Sequence, residues 1–186
     1  MTEGITGWLA AIYNAFTGSG GVVGSISVGG YVARASASFV RPANATPYVS
    51  GYLVANNTSA GSVTPMTFSL ARVSTKGGMI RRARLRKTGT SITNANFRLH
   101  LYSALPTSSV GDGAAWLSDK ALNYVGAIDF TVDKAFTDGA AGNGVPLVGS
   151  EIIFTADTYY GLLEARGAYT PTSGETIDLS LELVQN

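Results

Sequence analysis

The 186-residue chain has no cysteine and one histidine, His100. Disulfide frameworks, thiolate nucleophiles, iron–sulfur clusters and cysteine-ligated zinc are thereby excluded, and so is a multi-histidine metal site. Charge is scarce too. Asp, Glu, Lys and Arg make up 13% of the residues, about half the ~25% usual in globular domains. No apolar run approaches the ~18 residues that a membrane span needs, and the longest, Trp8 to Tyr13, stops after six. The N-terminus carries Glu3 and no basic region, so no secretory signal peptide is expected. The sequons at Asn56 and Asn57 then carry little weight, and a product made in a cytoplasm is expected.

Small neutral residues fill the space. Glycine, alanine, serine and threonine account for 84 of the 186 positions. A chain of this length can bury ~70% of its unfolded surface without a staple. The surface it leaves is small and hydroxylic. That suits a β-rich protein packed against neighbours and poorly suits a charged catalytic cleft.

The scarce charge is segregated. Ten basic and no acidic residues lie between Gly4 and Gly111, whereas eleven acidic and three basic residues lie between Asp112 and Asn186. The net +1 thus hides two strongly opposed halves. Such asymmetry fits a basic arm for nucleic acid, or two halves or two copies that face each other with opposite signs.

One amphipathic helix is predicted, at residues 3–16. Ile5, Trp8, Leu9, Ile12 and Phe16 recur at spacings of three and four, which makes one apolar stripe. At roughly 14 residues it needs a partner surface to be stable. Residues 17–24, TGSGGVVG, read as a flexible linker. Two parts follow, an arm at 1–24, which either anchors the chain to a neighbour or folds back on its own domain, and a β domain at 25–186.

From residue 25 the period is two. Residues 31–40, 66–73, 96–103 and 175–184 alternate apolar with polar positions, the pattern of antiparallel strands with one buried face. Less regular strands are predicted near 48–55, 79–87, 123–131, 151–156 and 159–166. Turn punctuation includes Gly77-Gly78 and Asn143-Gly144, a helical turn is predicted at 118–122, and 105–117 and 132–148 read as long loops. About nine strands without intervening helices predict an all-β antiparallel sandwich of jelly-roll or Greek-key type.

The strongest local signal is Met79 to Lys87, MIRRARLRK. As a strand it places Arg82, Arg84 and Arg86 on one face, with Arg81 and Lys87 on the other. Like charges ~6.7 Å apart on a strand repel unless something anionic lies opposite. The candidates are an acidic partner and the acidic strands of the chain's own C-terminal half, such as those carrying Asp178 and Glu182. Nucleic acid is not expected, because the segment lacks interleaved aromatics.

No enzyme motif survives. His100 alternates with Arg98 and Tyr102 on a predicted wet face, no G-x-S-x-G elbow exists, and a surface histidine is expected. Glu164 shares a strand face with Arg166, which suits an ion pair better than a general acid. No cofactor and no metal site is expected.

Three passages carry a resemblance: Ala37–Val54 (ASFVRPANATPYVSGYLV), Asn96–Thr107 (NFRLHLYSALPT) and Tyr159–Asn186 (YYGLLEARGAYTPTSGETIDLSLELVQN). Across about 31–186 the chain resembles the capsid decoration, or cement, proteins of tailed bacteriophages. The resemblance implies a jelly-roll sandwich on the outside of a virion head, assembled in the host cytoplasm, that binds the major capsid protein and forms a homo-oligomer, a dimer or trimer. Residues 3–24 lie outside the resemblance; on the residue reading Ile5, Trp8, Leu9, Ile12 and Phe16 would anchor the chain, and Arg82, Arg84 and Arg86 would face the partner. Two rivals stand beside this reading. One is a tail- or fibre-associated adhesion module that uses the 105–117 and 132–148 loops, and the other is a nucleic-acid binder. An enzyme built on His100 and Glu164 is the weakest candidate.

Overall fold

The computed structural model describes residues 31–71, 77–117, 122–146 and 149–185. The helix and linker expected at 3–24, with Ile5, Trp8, Leu9, Ile12 and Phe16, lie outside the described residues, as does most of the helical turn expected at 118–122. The described residues form ten β-strands: β1 (Tyr31–Val40), β2 (Tyr52–Val54), β3 (Met66–Ser69), β4 (Gly78–Lys87), β5 (Asn96–Tyr102), β6 (Tyr124–Phe136), β7 (Gly139–Gly144), β8 (Ile152–Phe154), β9 (Thr158–Ala165) and β10 (Thr176–Gln185). Every pairing is antiparallel.

Hydrogen bonding runs in the order β1-β10-β4-β7-β6-β5-β9-β2, with β8 also on β4 and β3 also on β9. The alternating segments supply the strands because each has one apolar face to bury. Ile177, Leu179, Leu181 and Leu183 of β10 are all buried, and so are Phe97, Leu99 and Leu101 of β5. Strands from both ends of the path share one core, which joins Ala35 of β1 and Leu181 of β10 to Phe68 of β3 and Leu163 of β9.

A second, smaller core covers the opposite face of β9. Leu53, Ala55, Val63, Tyr102 and Leu162 form it, and Val110 and Trp116 pack on it. Residues 111–116 are held there by backbone bonds: Leu53 N–H donates to Ala114 O at 2.9 Å, and Trp116 N–H to Gly51 O at 2.8 Å. Gly111 lies so near that a Cβ on it would sit 1.8 Å from Thr58 O.

Two expectations are corrected here. Residues 132–144 are not loop: β6 continues to Phe136, turns at Thr137 and Asp138, and returns as β7. The Asn143-Gly144 pair expected to turn lies inside β7, and Gly78 likewise begins β4. Glycine suits β7 because a Cβ on Gly142 would stand 2.2 Å from Thr131 O of the adjacent strand. The second correction concerns Arg81. A register shift between Glu182 and Leu183 opposes Arg82 to Glu182 but Ile80 to Leu183. One residue of β4 is therefore extra, and Arg81 stays exposed where strict alternation would turn it inward.

Candidate functional site

The outer face of β1, β10 and β4 carries the arginine ladder in three rows. Arg34, Glu182 and Arg82 are in register, then Ser36, Ser180 and Arg84, then Ser38, Asp178 and Arg86. Glu182 sits among three guanidinium groups. Arg82 Nη2 lies 2.6 Å from its carboxylate, Arg84 Nη2 3.1 Å and Arg34 Nη2 3.3 Å. The hydrogen bond from Arg82, with desolvation opposing, holds the Glu182 carboxyl below the usual carboxylate range. Arg86 pairs with Asp138 at 2.9 Å and with Asp178 at 3.6 Å.

The charges that the sequence segregates thus meet across the β10–β4 pairing. That resolves the like-charge repulsion along β4, although exposed pairs of this kind stabilise by only ~0–1 kcal/mol each. The pairing does not hide the cations: the side chains of Arg82, Arg84 and Arg86 remain 43–47% exposed. Each guanidinium has five donor hydrogens and spends only some of them here. Beside Arg84 and Arg86, Ser36, Ser38 and Ser180 floor an open cleft of about 260 Å³. The face can take up oxygen acceptors over a broad, shallow, hydroxyl-rich area.

Ionisable groups also converge on the outer face of β5 and β9. His100 Nε2 donates to Glu164 Oε2 at 2.8 Å, and Arg166 donates to the other oxygen at 3.1 Å. Arg98 holds Asp129 bidentately at 2.6 and 2.8 Å, which keeps the Asp129 carboxyl below its ordinary range. The surface histidine expected from the sequence is corrected. The His100 side chain is only 12% exposed, because Trp116 of the 105–117 segment stacks on it with centroids 4.3 Å apart. Desolvation lowers its pKa, against the hydrogen bond and charge of Glu164 that raise it. The cluster is a lidded ion-pair network.

Two further charge groups are buried at the ends of strands. Arg41 donates to Tyr48 and, at 3.0 Å, to Asp112, and Tyr48 donates to Asp112 in turn. Lys87 Nζ donates to Gly89 O at 2.7 Å and to the Tyr169 hydroxyl at 2.8 Å, and sits 3.3 Å from Glu175. Both are cation–tyrosine–carboxylate triads, and burial pushes the Tyr48 and Tyr169 hydroxyls well above the ordinary tyrosine range. Residue spacing does not reveal them, since Lys87 and Glu175 are 88 positions apart. Asp112 fastens the 105–117 segment, also accepting from Ala55 N–H at 2.9 Å. No group of three His, Cys, Asp or Glu side chains able to hold a metal ion occurs among the described residues, and no helix among them is long and apolar enough to cross a membrane.

No family model matches the chain, and no curated protein matches it. Solved structures similar to it include the capsid asymmetric unit of cyanophage Pam1, at 11% identity and a TM-score of 0.32, covering 86% of this chain and 89% of that one. Tomato aspermy virus gives 8% identity and a TM-score of 0.30, with 96% and 92% covered. The full particle of Israeli acute paralysis virus heated to 63 degrees gives 9% and 0.30, with 88% and 72% covered. Likeness at these values establishes neither a shared fold nor a shared role. The described residues are all-β, a ten-stranded antiparallel sheet whose outer face presents paired but half-exposed arginines.

Proposed function

We propose that the chain is a non-enzymatic structural protein of a bacteriophage virion, which decorates the head and cements neighbouring major capsid protein subunits. Its strands would pack as a jelly-roll sandwich, a reading supported by the single core shared between the two ends of the sheet path. The observation that carries the proposal is how the ionisable groups are used. Among the described residues, His100, Glu164, Asp112, Lys87 and Glu175 are all tied into internal pairs, whereas the arginine face keeps spare donors over a wide neutral surround. Broad contacts with charge matching for register are how assembled subunits recognise one another.

In this reading Arg82, Arg84 and Arg86 meet acceptors on the capsid, and the apolar residues Ile5, Trp8, Leu9, Ile12 and Phe16 serve as an anchoring arm. A protein that binds only the assembled shell stabilises it by its binding free energy. The test is quantitative mass spectrometry and cryo-electron microscopy of purified particles from the virus that carries the gene. Tens to hundreds of copies over the head are expected. Absence from particles, or density at the tail alone, refutes the proposal.

A further inference from the structure

Among the described residues, β1 hydrogen-bonds with β10 alone, so its other edge has no strand partner there, although β3 comes close to the strand. Natural sheets blunt such edges with proline, lysine, bulges or inward charge. Tyr31–Val40 contains no proline and no lysine, and its register with β10 is unbroken. Its one charge, Arg34, points outward to Glu182. Val32 and Val40, on the outer face near either end of the strand, are 73% and 56% exposed. On the inner face Ala33, Ala37 and Phe39 are only partly buried against the core. An open groove of about 550 Å³ lies between the end of β1 and Thr64–Thr67.

We propose that this edge pairs with the same edge of a second copy of the chain, antiparallel about a two-fold axis at Ser36. The inference deepens the self-association in the virion reading by giving it a surface. Self-complementarity selects the occupant. A two-fold at Ser36 opposes Val32 of one copy to Val40 of the other, Arg34 to Ser38, and Ser36 to Ser36. On the core side it opposes Ala33 to Phe39 and Ala35 to Ala37, so the large ring meets a small partner.

Other registers fail on the same positions. Moving the axis to Ala35 opposes Val32 to Ser38, and moving it to Ala37 opposes Val40 to Arg34. An axis between residues sets core-facing against solvent-facing side chains along the whole pairing. Charge agrees with Ser36. Ser38 is in register with Asp178, whose nearest cation, Arg86, is 3.6 Å away. Arg34 of one copy therefore lies two strand spacings, about 10 Å, from Asp178 of the other, a span that the two side chains close together. The product is one sheet continuous through both copies, an isologous contact.

The experiment uses the full chain with no particle present, so it can fail while the virion reading stands, and the reverse. Light scattering at about 100 μM is expected to give twice the monomer mass of 19.2 kDa. The Val32→Lys/Val40→Lys double variant, which opposes lysine to lysine at both ends, is expected to halve that mass with an unchanged circular dichroism spectrum. A Ser36→Cys variant is expected to form a disulfide-linked dimer under mild oxidation, because directly opposed Cα atoms lie about 4.5–5.5 Å apart. The chain has no other thiol to confuse the product. A parent monomer overturns the proposal, and one with slowly exchanging β1 amides hands the edge to another segment of the same chain. A dimer that survives the double variant, or does not cross-link at position 36, also overturns it.

Discussion

Removing the cation of the Lys87–Glu175–Tyr169 triad is the sharpest perturbation the fold offers. Both charged side chains are 0% exposed. Lys87→Met keeps the stem's volume and leaves Glu175 with donors from Tyr169 at 2.7 and 2.8 Å and from Gly89 N–H at 3.0 Å. It also strips Gly89 O of its 2.7 Å donor. Breaking a buried pair from one side costs about 3–5 kcal/mol, which lowers the melting temperature of a domain this size by roughly 6–20 °C. Glu175→Gln should cost less, because burial already lowers the Lys87 pKa and a lysine that loses its partner can shed its proton. The double variant Lys87→Met/Glu175→Gln should recover much of the loss, since no isolated charge remains. Urea titration of the four proteins, with equal slopes as a check on two-state behaviour, gives the coupling free energy. A Lys87→Met variant within about 1 kcal/mol of the parent would refute the argument that this pair is buried and interdependent.

Alkaline pH gives a second test. The Tyr48 and Tyr169 hydroxyls are raised by burial first and by their carboxylate neighbours, so the folded state keeps protons that the unfolded state releases, and stability falls as pH climbs past about 10. Absorbance near 295 nm should show two tyrosines titrating only with unfolding, and two that titrate freely in the folded protein would contradict this. In acid the sign reverses. Asp129 and Glu182 are lowered chiefly by hydrogen bonds from Arg98 and Arg82, so their contribution is present above about pH 4 and is lost below it. Thermal melts from pH 5 down to pH 2 should show a smaller acid-dependent loss in an Arg82→Gln variant, which lacks one of the donors that lower Glu182. Gly142→Ala should destabilise by more than the ~1 kcal/mol usual for a point substitution, because its Cβ would meet Thr131 O at 2.2 Å, and an unchanged melting temperature would show that β7 gives way freely.

Alternation made most of the sheet legible. Residues 31–40, 96–103 and 175–184 read as strands because one face of each enters the core, and they are β1, β5 and β10. The opposed charges of the two halves were legible as a pattern, and Asp178 and Glu182 as facing the arginines. β7 was not legible. GAAGNG has neither alternation nor β-branched residues, and it is a strand because β4 and β6 pair with it from both sides. The burial of His100 was hidden for a related reason: Trp116, which covers it, lies 16 residues along, at the end of a segment that reads as loop. Lys87 looked like one more member of a basic run, although its strand position faces the core, where Glu175 waits from a distant turn.

The pairing of β10 between β1 and β4 sets a problem for biosynthesis. β1 ends at Val40, and the strand that completes it begins at Thr176. At ordinary elongation rates that partner emerges roughly 7–27 s later. β1 must wait beside the ribosome for its partner, and so must β4, with one edge open even when β7 and β8 pair with its other side. A holding chaperone would have its longest engagement there.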